Sequence, residues 1–263
     1  MAETVQEREV VLSSRVRLAR NHADLPFPSV MDEETAQESI RRVVHAMDAK
    51  GMRLLRMANL SPIQRQVLVE RHLISLDLLR HAESAAALVQ DDESVCVMIN
   101  EEDHLRIQAL QKGFALKESA QLAFAADDLL GDTLHYAFDS EWGFLTSCPT
   151  NTGTGMRAST MLHLPALTWT GEMSKVSQAI GKLGLTIRGL YGEGSEAQGD
   201  LYQLSNQITL GRTEKEILEA MQAVTAQMAG WERKARQALH TADRIALEDR
   251  LLRSMGMMER ARR

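Results

Sequence analysis

Cys148-Pro149-Thr150-Asn151-Thr152-Gly153-Thr154-Gly155-Met156-Arg157-Ala158-Ser159 is the stretch from which the rest of the chain is read. Its proline stops any helix. Its two glycines and its small hydroxyl residues spell a tight loop, and residues 156–164 beyond it form an extended, apolar and β-branched run. The spacing Gly153-x-Gly155-x-x-Ala158 matches the loose dinucleotide pattern, but no helix follows, and Arg157 with Pro165 fits a strand. A thiol beside small hydroxyl residues, followed by a fixed cation, points to a site that handles an anion next to a nucleophile or a second cation. Residues 143–147, on the other side of the loop, read as another strand.

Outward from this loop, short strands and long helices follow one another without strict alternation. Residues 9–18 read as a strand in which Arg15 and Arg17, two apart, leave the same face. Asp32 caps a helix through about Lys50, ended by Gly51. Residues 52–60 form another strand. Ser61, Pro62 and Gln64 make an N-cap, a first-turn proline and a capping box, opening a helix that carries Arg71 and His72 to about Leu73. Residues 94–100 and 105–110 predict a hairpin turning at 100–104. Residues 114–131 and about 172–183 are helical in period. Strands are expected at 185–190 and 202–210, with a Gly-rich loop at 191–199 between them. Thr213 with Glu216 opens a long helical segment to about Arg253. This pattern indicates an α+β fold, a mostly antiparallel multistranded sheet flanked by helices.

The chain has 263 residues, 44% of them hydrophobic and 25% charged, which fits one domain over 1–263 with an ample core. No apolar run reaches the length of a membrane span, and the polar start has no signal-peptide core. Cys96 and Cys148 are too few for a disulfide framework or a Cys-based zinc site, and a reducing cytoplasm fits them best. A net charge of −6 argues against general nucleic-acid affinity.

Against that acidic background the arginines are placed rather than spread. Arg15, Arg17, Arg106, Arg157 and Arg188 each lie in or at the end of an expected strand, beside a Ser-, Asn- or Gly-containing turn. A single such arginine is most often part of a solvated face. Five of them indicate convergence on a polyanion, because the permanently charged guanidinium fork matches phosphate oxygens. Together they would hold a triphosphate without a Walker loop, and no such loop occurs.

The acids complement them. Glu101, Glu102 and Asp103 crowd the 100–104 turn, where the bland reading is an exposed acidic loop. Glu193 sits between Gly192 and Gly194. Two carboxylates on separate loops can grip one guanidinium, and one placed against its nitrogen can take the proton that must leave as an N–P bond forms. Cys148 is by default a small buried hydrophobe, but the nearby arginines favour its thiolate, a further negative group against a substrate cation. His72, more often a packing residue, could stack on or hydrogen-bond a nucleotide.

Asn100-Glu101-Glu102-Asp103-His104-Leu105-Arg106 and Cys148-Pro149-Thr150-Asn151 resemble the signature segments of the ATP:guanidino phosphotransferases, the phosphagen kinase family. Ser13-Ser14-Arg15-Val16-Arg17-Leu18-Ala19-Arg20, residues 69–75, 148–167 and 188–210 resemble its bacterial protein-arginine kinase subgroup of the McsB type. The likeness spans about residues 9–255. It implies the family's glutamine-synthetase-like antiparallel sheet. It implies an ATP site at Ser13, Ser14, Arg15, Val16, Arg17, His72, Arg106, Arg157, Ala158, Ser159, Thr160, Met161, Arg188, Gly189, Leu190, Tyr191, Gly192 and Glu193. It places the catalytic base at Glu102, with Glu101 beside it, the second guanidinium-binding acid at Glu193 and the active-site thiol at Cys148. Mg²⁺ is implied on the nucleotide phosphates rather than on a dedicated protein cluster.

The same resemblance implies protein substrates with surface arginines, an activator of the McsA type and a Clp unfoldase–protease as partners, and a role in protein quality control. Two expectations depart from the family. The first signature strand starts about ten residues in, which leaves no room for the helical N-terminal domain of the small-molecule members and favours a protein-borne arginine. The chain also stops where the C-terminal phosphoarginine-reading domain of the subgroup should begin. A small-guanidine kinase and a catalytically silent nucleotide- or phosphoarginine-binding regulator are the alternatives.

Overall fold

The computed structural model of the chain describes residues 9–47, 51–189, 198–242 and 244–261. Its centre is an eight-stranded antiparallel sheet in the order β2-β3-β4-β5-β1-β8-β10-β9. The strands are β1 (Val11–Arg20), β2 (Met52–Arg56), β3 (Ala86–Gln90), β4 (Val95–Ile99), β5 (Leu105–Lys112), β8 (Met156–His163), β9 (Leu185–Gly189) and β10 (Leu201–Asn206). A separate two-stranded hairpin joins β6 (Phe138–Asp139) to β7 (Gly143–Phe144). The helices are α1 (Glu33–Ala46), α2 (Pro62–Glu70), α3 (Leu116–Gly131), α4 (Pro165–Trp169), α5 (Met173–Gly181), α6 (Glu214–Ala242) and α7 (Arg244–Arg260).

The register sorts side chains onto two unlike faces, because residues directly opposite one another in antiparallel strands project the same way. Val16 lies opposite Ala109 and Ala158, and Leu18 opposite Ile107 and Met156. These rows are fully buried under Ile40 and Val43 of α1, Leu116 and Ala123 of α3 and Met221 and Met228 of α6, which make the main core. The alternate rows put Arg17 opposite Gln108 and Arg157, Ala19 opposite Arg106, and Gln203 opposite Arg188. On that second face, the half over β3 and β4 is apolar: Ala87, Val89, Cys96 and Met98 are covered by Met57, Leu73, Ile74 and Leu78. The other half carries the arginines. Period-2 alternation therefore gives one chain two cores and one polar floor.

Local signals set several boundaries. Asp32 accepts from the Thr35 amide at 2.9 Å to open α1, and Ser61 with Gln64 forms the capping box of α2. Thr213 and Glu216 cap α6 reciprocally. Other boundaries differ from the sequence pattern. Helix α1 stops at Ala46 rather than near Lys50. Helix α2 ends at Glu70, so His72 is not helical but sits in the left-handed region at φ 58°. The strand expected over 52–60 ends at Arg56 in a short 3₁₀ turn, and that expected over 143–147 is only Gly143–Phe144. Strand β3 and helix α4 had no separate sequence reading. The long final helix is two helices, α6 and α7.

One buried ion pair ties the layers together. Glu232 on α6 is wholly buried, lies 2.7 Å from Arg236 Nε, and accepts from the Ala166 and Leu167 amides at 3.1 and 3.0 Å, the first turn of α4. Glu232→Ala would strip a half-buried guanidinium and two buried amides of their acceptor. Leaving a buried amide unsatisfied costs about 1–3 kcal/mol. A urea unfolding midpoint lowered to match, with an unchanged slope, is the expected result.

Candidate active site

The floor of the site is the second face of β5, β1, β8, β10 and β9. Because β1 is central, Arg17 is flanked by Arg157 directly opposite and by Arg15 two residues away on the same face. Arg15 Nη2 donates to Gln203 Oε1 at 3.0 Å, and Arg157 Nη2 reaches Ser205 Oγ at 3.5 Å. The Nε atoms of Arg17 and Arg157 are buried and have no partner among the described residues. Burial and then the charges of Arg106 and Arg157 pull Arg15 down to about 10, which still leaves it protonated at neutral pH. Arg17 and Arg157 are lowered as well, first by burial and next by neighbouring guanidiniums, Arg15 for the former and Arg188 for the latter. Positive charge clustered in this way marks a candidate functional site.

Three cavities line this floor. One of about 380 Å³ is bounded by Ser13, Arg15, His72, Ser159, Met161 and Gln203, among others. A second, of about 250 Å³, lies between Thr150, Asn151, Arg157, Arg188, Asn206 and Thr209. A third, of about 210 Å³, shares Thr150, Asn151 and Arg157 with the second, and adds Arg17, Arg106, Glu102 and Cys148. The His72 ring is held below its ordinary pKa by burial and by Arg15, so it is neutral beside that cation.

The acid turn divides its two glutamates. Asn100 adopts φ 59°, a conformation asparagine tolerates, and its amide donates to the Ala36 and Ser84 carbonyls at 3.0 and 2.9 Å. That pins the turn beneath α1. Glu101 is buried, 2.6 Å from Arg106 Nη1, and accepts from Ser75 Oγ. Glu102 is 44% exposed, only 3.3 Å from Arg106 Nη2, and faces the third cavity. Burial first, then the Asp103, Glu101 and Asp77 carboxylates, push the Glu102 carboxyl above the usual range against the opposing pull of Arg106.

The thiol loop meets this turn through a polar hub. Asp103 Oδ1 accepts from Asn21 Nδ2 and from the Ser147 amide, both at 2.7 Å, while Asn21 Oδ1 accepts from the His104 amide at 2.8 Å. Cys148 Sγ lies 3.0 Å from Thr150 Oγ1. Gly155 closes the loop onto β1 at φ 63°, where a Cβ would fall 2.6 Å from the Ala19 carbonyl and from Arg20 Nη1. Arg20 itself is buried, paired with Asp127 at 2.6 Å, bonded to the Thr154 carbonyl and laid over the Phe144 ring at 3.5 Å.

The structure thus brings together Ser13, Arg15, Arg17, His72, Arg106, Arg157, Ser159, Met161, Glu102 and Cys148 on the polar face. Arg188 joins them at the edge, with Gly189 ending its strand. Ser14, Val16, Ala158 and Thr160 point the other way. Ser14 Oγ donates to the Gly113 carbonyl, Thr160 Oγ1 meets Thr225 Oγ1 at 3.1 Å, and the two apolar residues sit in the main core. Leu190, Tyr191, Gly192 and Glu193 lie outside the described residues. Asn21, Gln203, Asn206 and Thr209 carry no motif of their own, and sequence reading passed over them. Their only signal is a polar residue in or just beyond a strand.

An array of guanidiniums beside an accessible carboxylate can hold a polyphosphate and a cation side by side. That is what phosphoryl transfer to a cationic acceptor needs, since positioning and charge stabilisation supply most of its catalysis. Residues 35–235 match the family model for the ATP:guanido phosphotransferase C-terminal catalytic domain. The chain belongs to that family. It is 48% identical over 262 residues to a protein-arginine kinase of Caldanaerobacter subterraneus subsp. tengcongensis, covering 97% of this chain and 78% of that protein. It is 49% identical over 266 residues to a protein-arginine kinase of Desulforamulus reducens, covering 98% and 74%. The duplicated taurocyamine kinase of Schistosoma mansoni, solved with bound transition-state-analogue components, superposes with a TM-score of 0.77 at 27% identity, over 88% of this chain and 34% of that one. A lombricine kinase structure shares the fold with a TM-score of 0.75 at 23% identity, over 88% and 68%.

The hub makes a test possible. Asp103→Asn keeps an oxygen that can accept both bonds, whereas Asp103→Ala leaves the Ser147 amide and Asn21 without theirs. The alanine variant is expected to lose about 1–3 kcal/mol in urea unfolding, and the asparagine variant less than about 1.

Proposed function

We propose that this chain transfers the γ-phosphoryl group of ATP to the guanidinium of arginine side chains on proteins. The reading is carried by the third cavity, where Glu102 and Cys148 meet Arg17, Arg106 and Arg157. In this reading the arginines neutralise the triphosphate, Arg15 and His72 border the end of the nucleotide away from the transferred group, and Glu102 receives the acceptor. The guanidinium nitrogen forms the new N–P bond as the bond from the γ-phosphorus to the bridging oxygen breaks, and ADP leaves with that electron pair. The proton leaving nitrogen goes to Glu102, which the raised pKa makes a stronger base than an ordinary glutamate. Glu101, committed to Arg106 and Ser75, positions rather than reacts. Cys148 borders the same cavity, and the resemblance gives Glu193 the role of second guanidinium-binding acid.

Two further points support a protein-borne arginine over a free guanidine. The compared relatives at 48–49% identity carry the name protein-arginine kinase. The base is also partly open to solvent, so a side chain on another surface can reach it. Magnesium belongs to the same proposal. No three His, Cys, Asp or Glu side chains come together to hold a metal among the described residues, so the ion would be carried on phosphate oxygens and water, where it offsets phosphate charge. A cytoplasmic setting extends the proposal on the cysteine usage, and an activator of the McsA type and delivery of marked proteins to a Clp unfoldase–protease extend it on resemblance alone. No helix among the described residues is long and apolar enough to cross a membrane.

Incubation with radiolabelled ATP, magnesium and an arginine-rich protein should give acid-labile label on the protein. Folded, nucleotide-binding enzyme that transfers none, or that turns over free arginine faster, overturns the reading. Glu102→Gln should lower turnover roughly 10²–10⁴-fold with ATP affinity nearly intact. Because the base must be ionised, activity should fall as pH drops through the raised Glu102 pKa, an acid limb lying above the ordinary glutamate value of about 4.3. Arg157→Ala should weaken ATP binding and turnover together, read by nucleotide titration beside the same assay.

A further inference from the structure

Between Lys117 and Arg157 the sequence contains no lysine or arginine, yet it carries Glu118, Asp127, Asp128, Asp132, Asp139 and Glu141. Asp127 is neutralised by Arg20. Asp139 and Glu141 sit on the β6–β7 hairpin, which leads directly into the thiol loop. Carboxylates there repel a nucleotide and attract a cation.

The hairpin is built to hold a fixed shape. Asp139 Oδ1 accepts from the Glu141 and Trp142 amides at 2.8 and 3.0 Å, and Gly143 at φ 74° turns the chain back. At the base, Phe138 lies opposite Phe144 with ring centroids 5.2 Å apart. Phe144 is in turn clamped by the Arg20 guanidinium and by its backbone pairing with Gly153. What this frame displays is apolar: Phe138 is 59% exposed and Trp142 49% exposed, in a chain with only three tryptophans. Exposed rings beside carboxylates on a rigid turn have the chemistry that recognises a guanidinium or ammonium, stacking on its flat face and pairing with its charge.

We propose that this hairpin is a docking arm for the polypeptide carrying the target arginine, and that it takes a second basic side chain of that polypeptide. The inference rests on the protein-arginine reading above and adds a substrate preference to it. Trp142 and Cys148 are six residues apart, at most about 22 Å of extended chain. A substrate strand running from the cavity to the arm therefore places its second basic residue no more than about six positions from the target.

The test is binding followed by kinetics. A fluorescein-labelled peptide with two arginines four positions apart is titrated into the full chain without ATP, beside a single-arginine peptide of the same length. Fluorescence anisotropy should show tighter binding of the two-arginine peptide, by about three- to tenfold. Trp142→Ala and Glu141→Lys should each reduce that ratio towards one and weaken with added salt less than the wild type does. In the phosphorylation assay both variants should raise KM for the two-arginine peptide by the same factor, with kcat and the KM for ATP unchanged. Equal affinity of the two peptides for the wild-type chain overturns the proposal, as does a preference that survives both substitutions. Self-association that Trp142→Ala abolishes, with no effect on peptide binding, assigns the arm to a second copy and also overturns it. Because the titration needs no turnover, a chain that binds the peptides as expected but transfers no phosphate would refute the kinase reading and leave the docking result standing.

Discussion

Like charges crowded on one sheet face are the constraint on which this structure depends. Arg17 and Arg157 are register partners, with Arg15, Arg106 and Arg188 around them, and partial burial strengthens every repulsion among the group. Side-chain freedom cannot relieve this, because antiparallel pairing fixes the spacing of the strands. The cost is offset on the other side of the same strands. Val16, Leu18, Ile107, Met156 and Ala158 are completely buried there, and burying each large apolar side chain contributes about 1.5–3 kcal/mol. The arrangement that hardens the core is thus the one that confines the cations in a cluster already formed before any ligand arrives.

Negative charge is admitted to this face only under tight control. Glu101 is locked against Arg106 and Ser75, Asp103 is spent on backbone and amide donors, and Glu102 alone of the three turns a partly exposed carboxylate to the cavity. Three consecutive acids acquire three different tasks because a tight turn sends their side chains in three directions. The shared Asp103 oxygen also fixes the acid turn against the thiol loop, setting the separation between Glu102 and Cys148 with two short hydrogen bonds rather than with bulk packing.

The apolar half of the same face has its own part. Residues 57–82 fold over β3 and β4 through Met57, Leu73, Ile74 and Leu78, and that cover ends beside the acid turn. Ser75 reaches Glu101, and the His72 carbonyl accepts from Gln108 Nε2 at 2.7 Å. The cover therefore forms, through His72, one wall of the cavity lined by Arg15 and Ser159 while it seals a hydrophobic core.

Much of this was legible in the chain itself. Alternation marked most of the strands, caps at Asp32, Ser61 and Thr213 marked helix starts, and five arginines beside turns indicated a convergence that the sheet register produces on one face. These signals are local, written in spacing and in residue chemistry, and local physics enforces them. What only tertiary structure decided is which way each residue points and what it meets there. Ser14, Val16, Ala158 and Thr160 share motifs with the arginines, yet strand alternation turns them into the core. The carbonyl of His72, in the left-handed turn that ends α2, meets Gln108, a partner far away in sequence. The separate duties of Glu101, Glu102 and Asp103 come from Ser75, Arg106 and Asn21, of which only Arg106 lies near them in sequence. Residue type and period are properties of a segment, whereas partnership is a property of the closed sheet, and it exists only once distant strands have paired.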